Sequence, residues 1–144
     1  LFDLKQKDIP MMEHTYYSDH DEHPEDVENF HNQVVDADGL VIVTPEYNHS
    51  IPGALKNTLD YLYPEYDEKP FAFVTVSGGG FGGVRAQVQL NEIVDAVGGF
   101  TGPSLPVSNV ADNFSDDGEI SSEYEDRIED FAEKTEEFVE RMQQ

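Results

Sequence analysis

Two stretches of this chain, GLVIVT (39–44) and PFAFVTVS (70–77), are apolar at successive positions rather than at alternate ones. A strand with one wet face alternates with period two, so an unbroken run marks a strand covered on both faces, as in a parallel sheet. Each run stops in a segment of unusual composition, and each such segment opens a helix. TPEYNHSIP (44–52) leads into the stripe Leu55, Leu59 and Leu62, with Pro52 where a first helical turn tolerates proline. SGGGFGG (77–83) leads into Ala86, Leu90, Ile93, Val94 and Val97, ending at Gly98-Gly99. Parallel strands joined through helices restrict the chain to an α/β architecture.

The other segments fit that frame. LFDL (1–4) reads as a strand already under way, and 5–24, aperiodic and holding two prolines, as a long surface loop. PEDVENFHNQVVDAD predicts a helix with Val27, Phe30, Val34 and Val35 inward and acids in its first turn. FTGPSLPVSNV predicts a short, proline-interrupted edge strand. Ser122-x-x-Glu125 has the form of a capping box opening a last helix, whose stripe is Tyr124, Ile128, Phe131, Thr135, Phe138 and Met142. The order β-loop-α-β-α-β-α-β-α describes one doubly wound parallel α/β domain over residues 1–144.

Composition then narrows the function. Eight Lys+Arg stand against 31 Asp+Glu, a net charge of −23. Such a surface repels nucleic acid and anionic membranes, so neither is an expected partner. The acids decorate periodic segments instead of forming disordered blocks, which fits a protein adapted to molar salt, as in halophiles. There the Debye length is about 3 Å and carboxylates stop repelling one another. The absence of cysteine excludes disulfides, zinc thiolate sites and a cysteine nucleophile. No apolar stretch nears the ~18 residues of a membrane span and no signal peptide is evident, so a cytoplasmic location is expected.

In open α/β sheets ligands bind beyond the carboxyl ends of the strands, where TPEYNHSIP and SGGGFGG both lie. Glycines 78, 79, 80, 82 and 83 remove side chains, so a flat ligand can meet backbone N–H groups. Pro45 offers a rigid apolar wall, Tyr47 a ring and Asn48 an amide donor. The bland reading is a pair of turns with glycine for tight geometry, and two such loops on neighbouring strands argue against it.

ADGLVIVTPEYNHSIPGALKNTLDYL resembles the signature segment of the NADPH-dependent FMN reductase family. KPFAFVTVSGGGFGGVRAQVQLNEIVDAVG is similar to that family's second flavin loop and its helix, and DLKQKDIP to its second strand and the loop after it. The likeness covers about residues 1–110. It implies a flavodoxin-like sheet of order 2-1-3-4-5. It also implies FMN as cofactor, with NADPH or NADH as co-substrate, and a small acceptor: free flavin, a quinone, an azo compound or a metal oxyanion. Pro45, Glu46, Tyr47 and Asn48 match the loop along the isoalloxazine ring, and Ser77, Gly78, Gly79, Gly80 and Gly83 the loop at its pyrimidine end. Backbone N–H groups there would stabilise charge on the reduced ring, and no side chain acts as acid, base or nucleophile. The family's first strand and its G-S-x-R-x-x-S phosphate loop would precede Leu1, so the chain is expected to be N-terminally incomplete. Two rival readings follow: a flavin-free, non-catalytic domain or fragment of such an enzyme, and a flavodoxin-type electron carrier.

Of the few cations, Lys56 and Arg85 sit just behind the two loops. Arg85, in the first turn after the glycines, is placed to meet a phosphate of NADPH or FMN, or else is a surface charge beside the loop. Lys56 is expected to face solvent or a partner subunit. His49 extends the first loop at its rim. Asp60, Tyr61 and Tyr63 match the face this family uses to form dimers, so a homodimer or homotetramer is expected. His14, His20 and His23 with the nearby acids match no closed metal-site spacing, and no metal is expected.

Overall fold

A computed structural model describes residues 1–18 and 22–144. Among the described residues three parallel strands form the sheet: β1 (Leu40–Pro45), β2 (Pro70–Val76) and β3 (Phe100–Val107), in the order β1-β2-β3. The helices are α1 (Glu25–Asp36), α2 (Gly53–Leu59), α3 (Val84–Ala96), the single turn α4 (Val110–Asn113) and α5 (Ser122–Met142). β2 is the central strand, and Phe71 and Phe73 on one face are almost completely buried. They meet Val27 and Val34 of α1, Leu59 of α2, and Ala86, Leu90 and Val94 of α3. On the other face Leu105, Val107 and Tyr124 form a second cluster with Val74, Val76, Ile128 and Phe131. Helices therefore lie on both faces of a parallel sheet, the α/β arrangement the apolar runs predict.

Several local expectations are corrected. Leu1–Asp3 makes no strand, and Leu4–Gln6 is a 3-10 turn capped by the Asp3 carboxylate, which accepts the Lys5 N–H at 3.0 Å. A four-residue stretch gains nothing from extension without a ladder partner beside it. β1 is not covered on both faces: Val41 and Val43 are 51% and 66% exposed, because α5 crosses β2 and β3 and leaves that end of the face open. Val35 of α1 is likewise exposed, whereas Val27 and Val34 are buried and Phe30 packs partly buried against the same core. α2 ends at Leu59, one turn short of the predicted stripe, yet Leu62 remains buried in the turn that follows. The capping box does not form. Ser121 holds the N-cap position of α5 and its hydroxyl donates to Asn113 Oδ1 at 2.9 Å, tying α5 to α4.

The early loop is not loose over residues 5–18. Lys7 donates to Asp26 at 2.7 Å, and Asn57 accepts the Met12 N–H and donates to the Pro10 carbonyl. Tyr16 donates its N–H to the Tyr61 carbonyl, and the Tyr61 hydroxyl reaches the Pro10 carbonyl. Tyr61 is thus covered by its own chain and 4% exposed, so it is withdrawn from the expected dimer face. Tyr63 stays half exposed, and Asp60 pairs with Lys56. Among the described residues no helix is long and apolar enough to cross a membrane, and none gather into a group of three or more metal-ligating side chains. His20 lies outside the described residues.

Candidate functional site

The register of β1 against β2 places the two unusual loops side by side. Thr44 pairs with Thr75 and Pro45 with Val76, so both strands end at the same level. Glu46 continues the ladder by donating its N–H to the Val76 carbonyl. The first loop then folds back at once: Tyr47 and Ser50 exchange backbone hydrogen bonds of 2.9 and 3.0 Å across Asn48 and His49. Both central residues have positive φ, 50° and 66°, the signature of a type I′ turn. Asn and His tolerate that region better than most side chains do. The turn leaves the Tyr47 ring 62% exposed at the carboxyl edge of the sheet.

The glycines of the second loop divide into two kinds. Gly82 and Gly83 have φ of 61° and 78°, and a Cβ on either would strike backbone or proline. At Gly82 it would lie 2.7 Å from Pro106 Cβ, and at Gly83 3.0 Å from Thr75 Cβ and 3.1 Å from Val76 N. These two are required by close packing. Gly78 and Gly80 have nothing within 4 Å of such a Cβ, and Gly79 has only Ser77 Oγ at 3.7 Å. Glycine there keeps an open approach to the backbone. The Gly79 N–H donates to Ser77 Oγ, whereas those of Gly78 and Gly80 meet no acceptor among the described residues.

Three contacts absent from any local pattern hold these loops in place. The buried Thr75 hydroxyl donates to the Gly82 carbonyl at 2.8 Å. A third segment, Ser108–Asn109 after β3, braces the glycine loop: Asn109, itself at φ 47°, donates its N–H to the Gly79 carbonyl, and Val110 donates to Ser77. Tyr124 of α5 in turn accepts the Ser108 N–H at 2.9 Å. Burial opposes ionisation of that phenol, but the hydrogen bonds from Ser108 and Arg127 outweigh it and lower its pKa. The one hint in the sequence was Ser-Asn directly after a strand, which is common in ordinary turns.

The third contact joins the two loops. One Glu46 carboxylate oxygen accepts the Arg85 N–H at 3.2 Å in the first turn of α3, and the other lies 3.7 Å from the Arg85 guanidinium. Gly83 at the N-cap has no side chain to satisfy those donors, so a residue from the neighbouring loop does it. Glu46 thus faces the helix rather than the open space between the loops, and Arg85 is held back against it. Glu46→Ala is expected to cost about 1 kcal/mol, as loss of a helix cap does. Hydrogen exchange at the Arg85 amide should accelerate roughly in step while the β2 amides stay protected, and an unchanged Arg85 rate would refute the cap. Of the remaining expected site residues, Pro45, Tyr47, Asn48 and Ser77 come together with Gly78–Gly80 at the same edge. Phe81, which the motifs did not single out, stands among them 73% exposed.

The sequence model of the NADPH-dependent FMN reductase family matches residues 1–113, which include both loops. The chain belongs to the NADPH-dependent FMN reductase family. The NADPH azoreductase of Bacillus sp. (strain OY1-2) is 35% identical over 133 residues, covering 90% of this chain and 71% of that protein. The quinone reductase of Escherichia coli (strain K12) is 47% identical over 75 residues, 49% of this chain and 40% of that one. Among solved structures, FerB, a flavoenzyme NAD(P)H:(acceptor) oxidoreductase from Paracoccus denitrificans, superposes with a TM-score of 0.62. It is 26% identical, covering 93% of this chain and 75% of FerB. The fold is therefore flavodoxin-like, as in this FMN reductase family. The described strands, running in sequence order, carry both loops of the family on adjacent carboxyl ends.

Proposed function

We propose that this chain forms the flavin-binding part of an FMN-dependent NAD(P)H oxidoreductase that passes electrons to a small acceptor, a quinone or an azo compound. The observation that carries the reading is the pairing of two kinds of loop on one edge. An open row of glycine amides (Gly78–Gly80) lies beside an exposed Tyr47 turn, and Glu46 and Arg85 lock the two together. That arrangement fits a planar heterocycle with hydrogen-bonding edges. The amides of Gly78 and Gly80 would donate to its polar edge, while Pro45 and Tyr47 line its face and Asn48 reaches its rim. Ser77 holds the Gly79 N–H and so shapes the row without itself needing to touch the ligand. Glu46, turned to the helix, positions rather than binds. Held by these residues, FMN would supply the redox chemistry between a nicotinamide and the acceptor.

The relatives' names, azoreductase and quinone reductase, support organic acceptors. The same reading includes a homodimer or homotetramer, with Tyr63 and Asp60 left at the surface for such a contact. The test is the visible spectrum of the protein purified in molar KCl. Flavin bands that bleach on adding NADPH are the expected result. A colourless protein that takes up no added FMN would sink the reading.

A further inference from the structure

We propose that Phe81 and Arg85 form an acceptor-selecting subsite at the mouth of the glycine loop, suited to planar aromatic acceptors that carry an anionic group. The proposal rests on the flavin reading above and names the substrate class of that same site. A single exposed phenylalanine is ordinary on a protein surface. This one differs in how it is supported. The Arg85 guanidinium lies 5.8 Å from the centre of its ring, and Glu46 stands 3.7 Å from that guanidinium. The chain beside the ring is equally constrained: Thr75 holds the Gly82 carbonyl, and Gly82 packs so closely on Pro106 that no side chain fits between them. The ring and the cation are therefore presented together, on a stiff base, with the ring 73% exposed and the arginine side chain 49% exposed.

An aromatic face beside a planar guanidinium offers two complementary contacts. The ring stacks on a flat acceptor, and the N–H fork takes a carboxylate, sulfonate or enolate on its edge. Charge makes the second contact selective. Arg85 is the one Lys or Arg in residues 44–52 and 77–85, within a chain of net charge −23. In molar salt only contact-range interactions escape screening, so an anion gains nothing from the distant field and much from this fork. Glu46 offsets part of the guanidinium charge, but its hydrogen bond goes to the Arg85 backbone N–H, the guanidinium lies 3.7 Å from the other carboxylate oxygen, and about half of the arginine side chain stays exposed.

The experiment compares NADPH-dependent reduction of 1,4-naphthoquinone and 1,4-naphthoquinone-2-sulfonate by the FMN-loaded protein in molar KCl. Arg85→Gln should lower the sulfonate-to-parent ratio of kcat/KM by about tenfold, and Arg85→Lys should recover part of it. Phe81→Ala should raise KM for both quinones more than it changes kcat. Independently of turnover, the redox-inert naphthalene-2-sulfonate should shift the amide signals of residues 80–85 in the nitrogen-15 spectrum of the FMN-loaded protein, and fail to do so in Arg85→Gln. A ratio unchanged within about twofold in Arg85→Gln, or sulfonate shifts elsewhere on the surface, would overturn the subsite while leaving the flavin reading intact. A Phe81→Ala variant that changes oligomer mass and leaves KM alone would assign the ring to a subunit contact and also overturn it. A colourless parent protein that takes up no FMN fails the flavin reading itself and takes this proposal with it.

Discussion

Gly83→Ala is expected to lose a large part of its folding stability under conditions where Gly79→Ala melts with the parent. The two glycines stand four residues apart in one loop, yet the backbone asks different things of them. Gly83 has φ of 78°, a region that costs an L-residue about 1–2 kcal/mol by itself. The new methyl would also sit 3.0 Å from Thr75 Cβ and 3.1 Å from Val76 N, atoms of the central strand that cannot yield without breaking the ladder to β1 and β3. Overpacking of this kind adds about 1–3 kcal/mol, and the total is a large part of a stability of roughly 5–15 kcal/mol. At Gly79 the methyl meets only Ser77 Oγ at 3.7 Å, so stability should move by less than about 0.5 kcal/mol. The same methyl projects into the space where the flavin edge is proposed to lie, and FMN affinity should fall about tenfold or more. Thermal melts and an FMN titration on both variants decide the matter. Gly83→Ala as stable as the parent would refute the steric reading, and Gly79→Ala binding FMN normally would remove Gly78–Gly80 from the proposed cradle.

The second large effect is expected from salt alone. Dialysis from molar KCl into dilute buffer should unfold α5 first and the sheet soon after. Nine acids and three bases lie on α5, and Tyr124 is its single fully buried residue. Glu125–Glu129, Asp126–Asp130, Glu129–Glu133, Glu133–Glu137 and Glu136–Glu140 are like-charge neighbours one turn apart. Each costs about 0.2–0.5 kcal/mol when unscreened. At 0.01 M salt the Debye length grows to about 30 Å, so these pairs join the repulsion of the whole −23 surface. The opposing ion pairs Arg127–Glu123 and Lys134–Asp130 are exposed and contribute little. α5 covers the cluster of Leu105, Val107 and Tyr124, and the Ser108 N–H bonds to Tyr124, so its loss exposes one face of β3 and releases the brace on the glycine loop. Far-UV circular dichroism through a KCl series should show helix lost below a midpoint concentration. A signal and melting temperature unchanged from molar to millimolar KCl would refute the salt-adaptation reading.

What the chain alone determined follows from patterns that repeat locally. Unbroken apolar runs at 39–44 and 70–77 identified two parallel strands, and the stripe from Ala86 to Val97 identified α3, because burial on a strand or helix imprints a period on its own residues. T-P-E-Y-N and S-G-G-G pointed to the family for the same reason, as contiguous motifs. The failures share the opposite cause. Val41 and Val43 look as buried as Phe71 and Phe73 until the position of α5 is known. LFDL has strand composition but finds no ladder, and Tyr61 reads as a surface aromatic until Pro10 and Tyr16 close over it. Within the site, five glycines of one motif serve two purposes, and only the approach of Thr75 and Pro106 separates Gly82 and Gly83 from Gly78–Gly80. Glu46 sits inside T-P-E-Y-N yet turns to Arg85, thirty-nine residues away, because the register pairing Pro45 with Val76 sets its carboxylate at the start of α3. Periodicity reports what one element buries, whereas the partners of a loop are decided by strand register and by which element happens to cross behind it.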